Sequence, residues 1–140
     1  MGFLFLLIKF IFYNCKNNPC KILEIGCFDG YVIKELARKN WDVYGCDPSP
    51  SINNVIKIFG KKKIKKTFFS STTYPKKCFD VIIFRNLLEH IYDLNGFLYN
   101  VNQSLKNNMK IGQIIIKVSK KFFRPNEVVA LLGDSSKAKR

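Results

Sequence analysis

Two carboxylates and two glycines in the first third of the chain have the types and the spacing that a nucleotide site requires. Glu24 and Gly26 lie in the apolar run Lys21–Cys27, and Gly30 follows just before a helical pattern. Glycine allows the backbone to approach a ligand closely, and the helix that follows offers free N–H groups at its positive end. Asp47 ends the next apolar run, where a carboxylate can accept hydrogen bonds from ribose hydroxyls. This order of features predicts a nucleotide-binding crevice.

The turn lacks the glycine spacing of a dinucleotide site. Counting from Gly26, the second and third glycine positions of a G-x-G-x-x-G fingerprint hold Phe28 and Tyr31. An acid at Glu24 repels a phosphate but suits a cationic ligand, such as the aminoacyl end of an adenosine sulfonium. The charge therefore favours a sulfonium cofactor over NAD. The alternative is an ordinary strand–turn–helix whose glycines serve geometry alone.

Strands and helices alternate along the chain, as in a doubly wound α/β fold. The predicted strands are Lys21–Cys27, Asp42–Cys46, Ile64–Phe69, Phe79–Phe84 and Gly112–Val118. The predicted helices are Tyr31–Lys39, Pro50–Phe59 and Leu94–Leu105. Such alternation implies parallel strands joined by right-handed crossovers. We expect an open, mainly parallel sheet of strand order 3-2-1-4-5, with helices on both faces and the ligand at the switch point between strands one and four.

Four segments resemble the successive motifs of one enzyme family. They are ILEIGCFDG, VYGCDPSP, FDVIIFRNLLEHIYDLNGFLYNVNQSLKN and GQIIIKV. Together they look like class I S-adenosylmethionine-dependent methyltransferases over about residues 20–119. The motifs are also similar to those of sugar C-methyltransferases and of the small-molecule methyltransferases that carry an LEH motif. The resemblance implies a Rossmann-like fold, S-adenosylmethionine as cofactor, and methyl transfer to a small molecule such as a sugar or nucleotide-sugar.

The resemblance also implies a set of cofactor-binding residues. The set is Glu24, Gly26, Cys27, Gly30, Asp47, Pro48, Arg85 and Asn86. By this likeness the first turn lines the methionine end of the cofactor and Asp47 holds the ribose. Pro48 and Ser49 would flank the adenine, and Arg85 would lie at the cleft because it follows the fourth strand. No metal is implied.

His90 and Asn86 are the catalytic candidates. His90 is the single histidine of the chain, and an imidazole can take a proton from an acceptor hydroxyl or from a carbon next to a carbonyl. The alternative is that His90 only shapes the loop after the fourth strand, because methyl transfer often needs no more than positioning.

The sequence departs from the family pattern at two places. Phe28 stands where many members have glycine, and its ring would either crowd the amino-acid end of the cofactor or turn away. The family sheet normally has two more strands after the fifth, and we expect them to be missing here. The fifth strand would then be an exposed edge that a second copy or a partner chain covers. We divide the chain into an N-terminal helix (1–19), a methyltransferase core (20–119), and a short C-terminal segment with a disordered tail (120–140).

A net charge of +14 raises the alternative of a methyltransferase that acts on nucleic acid. The densest basic run is Lys61, Lys62, Lys63, Lys65 and Lys66. We expect it to lie at the amino ends of the strands, away from the ligand, and to be a solvated loop. A third hypothesis is a degenerate module that no longer turns over.

Cysteine usage and the N-terminus favour a cytoplasmic protein. The five cysteines are scattered and form no CxxC pair, which argues for reduced thiols and against a zinc site. The apolar segment Gly2–Tyr13 is too short to span a bilayer and lacks signal-peptide features. Its apolar residues at helical spacing predict a helix that packs on the sheet, and the alternative is a membrane-interacting segment.

Overall fold

The computed structural model describes residues 5, 7–9, 11 and 20–106. Within that part of the chain, four strands form one parallel sheet in the order β3-β2-β1-β4. The strands are β1 (Lys21–Ile25), β2 (Asp42–Cys46), β3 (Ile64–Lys65) and β4 (Val81–Phe84). The strand order reverses at β1, so a crevice opens beyond its carboxyl end. The predicted fold class and the predicted order of the first four strands are confirmed.

Helices occupy the connections where the sequence shows helical spacing. They are α1 (Tyr31–Ala37), α2 (Ile52–Phe59) and α3 (Leu94–Ser104), and a 3-10 turn (Leu88–His90) precedes α3. α1 buries Val32, Ile33 and Leu36, which lie on one face of the helix. Asp93 caps α3, because its carboxylate accepts a hydrogen bond of 2.9 Å from the backbone N–H of Gly96.

Apolar cores cover both faces of the sheet. Successive residues of a strand point to opposite faces, so Ile22 packs with α1 and α2 while Leu23 packs on the side of α3. Leu7 and Ile11 are helical, buried, and part of the core on the α1 side. The helices therefore lie on both faces, as the alternation of elements predicts.

β3 is shorter than the predicted range Ile64–Phe69. The backbone N–H of Thr67 donates to the carbonyl of Lys65 at 3.1 Å, so the chain turns away from the sheet directly after the strand. The residues that follow are thereby released to line a cleft. The predicted fifth strand, Gly112–Val118, and the segment 120–140 lie outside the described residues.

The cysteines differ in their state. Cys27, Cys46 and Cys78 are free thiols, whereas Cys20 is disulfide-bonded, so the prediction of reduced thiols is wrong at Cys20. Among the described residues, no cluster of His, Cys, Asp or Glu side chains is arranged to hold a metal ion. In the same part of the chain, no helix has the length and apolar character needed to cross a membrane.

Candidate functional site

A cleft of about 300 Å³ opens at the carboxyl ends of the strands. Its lining comes from the turns after β1, β2, β3 and β4 and from the start of α3. It therefore lies at the switch point where the sequence places the ligand. Its lining includes the polar side chains of Asp47, Arg85 and Asn86 together with apolar and aromatic residues.

The turn after β1 depends on positive backbone angles. Gly26 and Gly30 have φ angles of 73° and 72°, which disfavour any side chain. A Cβ atom on Gly30 would also lie 2.7 Å from Cγ1 of the buried Val55, so no larger residue fits. Phe28 has a φ of 48° and is 57% exposed, and its ring is not part of the cleft lining. The phenyl ring therefore turns away from the cleft.

Asp47 is fixed by the backbone at the tip of β2. Its Oδ2 accepts a hydrogen bond of 2.9 Å from the N–H of Phe28, and its Oδ1 accepts one of 2.8 Å from the N–H of Ser49. The residue is 8% exposed and lines the cleft. Each carboxylate oxygen has a second lone pair, so Asp47 is held rigidly and retains acceptor capacity for a ligand hydroxyl.

Glu24 is buried beneath the cleft and paired with a residue that lines it. The glutamate is 1% exposed, and its Oε1 accepts a hydrogen bond of 3.1 Å from Nη2 of Arg85. The other oxygen, Oε2, is buried and has no hydrogen-bond partner among the described residues. Burial raises the pKa of Glu24 to about 7, and the Arg85 charge only partly offsets this. The ionised form of Glu24 is therefore disfavoured, and a further cation or donor would stabilise it.

The turn after β4 brings the two catalytic candidates to the cleft. Asn86 adopts a left-handed φ of 48°, which turns the chain toward the opening. His90 follows in the 3-10 turn, where its backbone N–H donates to the carbonyl of Leu87 at 2.9 Å. The imidazole is 75% exposed, and its Nε2 lies 4.0 Å from Oε1 of Glu89. A solvent-facing imidazole at the cleft edge can exchange protons with a bound acceptor.

Sequence reasoning missed the aromatic wall of the cleft. It is formed by Thr67, Phe68 and Phe69 after β3 and by Ile91 and Phe97. Phe69 and Phe97 meet edge to face with ring centroids 6.1 Å apart, a favourable aromatic geometry. The sequence does carry a signal, which is the aromatic pair Phe68 and Phe69 at the end of an apolar run. Because the predicted third strand includes this pair, its position at the carboxyl edge of the sheet is not visible from the sequence.

The predicted site residues divide into two groups. Gly26, Asp47, Pro48, Arg85, Asn86 and His90 line the cleft. Glu24, Cys27 and Gly30 do not, and they lie behind or beside it. Glu24 reaches the cleft through Arg85, and Gly30 shapes the turn.

The lysine run lies on both sides of β3 rather than wholly at the amino ends of the strands. Lys65 is in the strand, and Lys66 follows it at the carboxyl edge next to Thr67. Lys63 pairs with Asp42 at 2.7 Å, and the ammonium of Lys65 donates to the carbonyl of Thr73. Two lysines of the run thus stabilise the local fold.

A family comparison identifies the domain. Residues 2–129 match the model of a family described as a methyltransferase domain. The chain belongs to this methyltransferase family. The family expected from the sequence motifs is therefore confirmed.

Two curated relatives of this methyltransferase domain share one name. One is the ubiquinone biosynthesis O-methyltransferase of Bradyrhizobium diazoefficiens, to which the chain is 30% identical over 99 residues. This alignment covers 68% of this chain and 39% of the relative. The other is the enzyme of the same name from Pelagibacter ubique, to which the chain is 34% identical over 92 residues. That alignment covers 63% of this chain and 38% of the relative. The chain thus spans about two-fifths of the length of these relatives.

Solved structures of other methyltransferases share the fold. A SAM-dependent methyltransferase from Aquifex aeolicus aligns with a TM-score of 0.54 and 16% identity, over 71% of this chain and 58% of that one. A Methanococcus maripaludis protein assigned as an S-adenosyl-L-methionine-dependent methyltransferase aligns with a TM-score of 0.55 and 16% identity, over 74% and 51%. At this identity the likeness concerns the fold.

Proposed function

We propose that this methyltransferase domain binds S-adenosylmethionine and transfers its methyl group to a small molecule. The observation that carries the proposal is the fixed carboxylate of Asp47 in the cleft at the switch point of the sheet. A carboxylate at the end of the second strand is suited to accept hydrogen bonds from both ribose hydroxyls. The family match and the names of the relatives support the same reading.

The residues of the cleft fit an adenosyl amino acid. Asp47 would hold the ribose, while Pro48 and the aromatic wall would enclose the adenine. The backbone of Gly26 would pass beside the amino-acid end. The unpartnered Oε2 of Glu24 leaves negative charge behind that end, which a cationic ligand would stabilise. When bound, S-adenosylmethionine supplies an electrophilic methyl group on a sulfonium, so no metal is required.

The chain's own residues have three tasks in such a reaction. Asp47 and the turn after β1 bind and orient the cofactor. Phe69 and Phe97 exclude water from the aromatic side of the cleft. His90 accepts the proton that the acceptor hydroxyl loses, and Asn86 orients the acceptor.

The acceptor class is a finer proposal. The relatives are named O-methyltransferases, which favours an oxygen acceptor on a small molecule. A sugar or nucleotide-sugar, as the sequence motifs suggested, remains a prediction, as do a cytoplasmic location and a second copy or partner chain at the sheet edge. Nucleic acid is the second candidate, favoured by the net charge of +14.

Calorimetric titration tests the cofactor. We expect saturable binding of S-adenosylmethionine and S-adenosylhomocysteine to the full chain, and no binding of NAD at the same concentrations. Tight binding of NAD alone would contradict the proposal.

Transfer of radiolabelled methyl groups tests the acceptor. The panel would contain a phenol, a nucleotide-sugar, transfer RNA and duplex DNA. Label on either low-molecular-mass acceptor supports the proposal, whereas salt-sensitive labelling of nucleic acid alone would replace it with the second candidate. Cofactor binding without transfer to any acceptor would indicate a degenerate module.

A further inference from the structure

The lysines that precede β3 take no part in the cleft. The cleft opens at the carboxyl ends of the strands, whereas Lys61 and Lys62 lie between the end of α2 at Phe59 and the start of β3 at Ile64. In a parallel α/β sheet the helices run back against the strands, so helix ends and strand starts meet at the amino edge. β1 has five residues, which separates the two edges by roughly 15 Å.

The segments that enter the neighbouring strands are basic as well. Arg38 and Lys39 follow α1 and precede β2, and Lys76 and Lys77 precede β4. The backbone N–H of Lys77 donates to the carbonyl of Gln103 at 2.9 Å, which places this segment beside the end of α3 at the amino edge. We call the positively charged residues of this edge the basic edge. They are Lys21, Arg38, Lys39, Lys61, Lys62, Lys63, Lys76, Lys77 and Lys106.

Acids neutralise only part of the basic edge. Its ion pairs within the described ranges are Lys63–Asp42, Lys106–Asp80 and Arg38–Glu35. A cation next to a helix C-terminus complements the helix dipole, but the edge carries more cations than its helix ends use. Five of its lysines are exposed and form no ion pair with an acid of the described part of the chain. They are Lys39, Lys61, Lys62, Lys76 and Lys77.

The basic edge offers charge with little exposed apolar surface. Among the described residues, Ile58 is the exposed large apolar side chain closest in the chain to one of the five unpaired lysines. Docking to a lipid surface needs apolar side chains that insert below the headgroups, and recognition of single-stranded nucleic acid needs rings that stack on bases. One isoleucine is a small anchor for a membrane and cannot stack on a base.

The width of the basic edge suits a row of phosphates. Adjacent strands lie about 4.8 Å apart, so the starts of the four strands span about 14 Å. Over that length a nucleic-acid duplex carries about eight backbone charges, at one per roughly 1.7 Å of helix axis. Lysine is a flexible point charge that can reach a phosphate without a fixed geometry. The surface therefore complements a phosphodiester backbone better than a single phosphate group.

We propose that the basic edge binds the backbone of a nucleic-acid duplex, at the opposite end of the strands from the cleft. The five unpaired lysines contact phosphates, so binding is independent of base sequence. The duplex is a docking partner and not the methyl acceptor, which enters at the cleft. This inference goes beyond the proposed function, and it does not depend on whether the cleft binds S-adenosylmethionine.

Fluorescence anisotropy of the full chain with a labelled DNA duplex tests the proposal. We expect log K to fall with log[KCl] at a slope of about −3 to −5, because each neutralised phosphate contributes about −0.9. Lys61→Gln/Lys62→Gln should make the slope shallower by about 2 and weaken binding at least about tenfold near 50 mM salt. Adding Lys76→Gln/Lys77→Gln should bring the slope to about −1.

A matched control removes the same charge at the carboxyl edge. Nζ of Lys34 donates to the carbonyl of Asp29 in the turn after β1, and Lys66 directly follows β3. The Debye length is about 10 Å at 0.1 M salt, which is shorter than the distance between the two edges. Lys34→Gln/Lys66→Gln should therefore keep the native slope and affinity. Thermal melts by circular dichroism check that both sets of surface variants fold.

Four results would overturn the proposal. Equal weakening by the two pairs of substitutions would show that the duplex responds to net charge or lies at the cleft, and absence of saturable binding near about 50 mM salt would exclude docking. Binding of phosphatidylglycerol vesicles, but not of the duplex, would assign the basic edge to lipid headgroups. Methyl transfer to the bound duplex would make it the acceptor instead.

Discussion

Oδ2 of Asp47 accepts a 2.9 Å hydrogen bond from the backbone N–H of Phe28 and so ties the tip of β2 to the turn after β1. The same carboxylate holds the N–H of Ser49 at 2.8 Å through its other oxygen. One side chain thereby fixes both turns at the cleft. The residue that would bind the ribose also shapes the site around it.

Asp47→Ala should therefore lose stability and affinity together. It leaves two backbone N–H groups without their acceptor, which costs about 1–3 kcal/mol of unfolding free energy. We also expect most of the affinity for S-adenosylhomocysteine to be lost. Chemical denaturation and calorimetry measure the two effects. Asp29→Ala is the control, because the carboxylate of Asp29 accepts a hydrogen bond from the backbone N–H of Tyr31 in an exposed turn. Native-like affinity in Asp47→Ala would place the ribose elsewhere.

Gly30→Ala should destabilise the domain strongly. The new Cβ would lie 2.7 Å and 2.8 Å from the two γ-carbons of the fully buried Val55, at a φ of 72°. Strain and overpacking together predict a loss of about 2–4 kcal/mol. A control is the same substitution in a Val55→Ala background, which removes both γ-carbons that the new Cβ would meet. There Gly30→Ala should cost only the backbone strain, about 1–2 kcal/mol, and equal losses in the two backgrounds in denaturant melts would contradict the packing argument.

Phe28 carries backbone strain without compensating burial. Its φ is 48°, and 57% of the residue is exposed. Phe28→Gly should relieve that strain, but it also adds unfolded-state entropy, so we expect a change smaller than about 0.5 kcal/mol. Phe28→Val should lose at least about 1 kcal/mol, because a β-branched residue disfavours this conformation more strongly. Equal stability of the two variants would show that the turn relaxes.

The alternation of elements could be predicted from the sequence because it depends on local spacing. The apolar positions of α1 and α3 and the acid at the end of β2 are each visible in a short window of sequence. The residue at which β3 ends was harder to predict from the sequence. A single backbone contact from Thr67 to Lys65 ends that strand early, and no apolar pattern encodes it.

The arrangement around Glu24 was not predictable, because it depends on contacts between distant segments. Glu24 and Arg85 meet only when β1 and β4 pair in register, with Ile25 opposite Phe84. From the sequence, Glu24 looked like a residue that faces the ligand. The structure instead buries it and places its partner Arg85 at the cleft.

Stability should depend on the pH through Glu24. Burial raises its pKa to about 7 from a model-peptide value of 4.5, so between these values the folded state binds more protons than the unfolded state. Stability from this group is then greatest below about pH 4.5, falls as the pH rises, and levels off above about pH 7. The shift corresponds to about 3 kcal/mol. Glu24→Gln should lack this component, so the native protein should lose stability relative to the variant between about pH 4.5 and 7. A constant difference across that range would contradict the buried charge.

Replacement of His90 separates catalysis from binding. The side chain is 75% exposed, and the contact that holds the 3-10 turn is made by its backbone N–H to Leu87, which any residue keeps. His90→Gln should therefore leave the fold and the affinity for S-adenosylhomocysteine unchanged. If the imidazole accepts the acceptor's proton, the rate of methyl transfer should fall by about 10²- to 10⁴-fold. Tyr92→Phe, two residues after His90, fully exposed and outside the cleft lining, should keep the native rate. An unchanged rate in His90→Gln would assign the histidine to loop geometry and leave positioning as the source of catalysis.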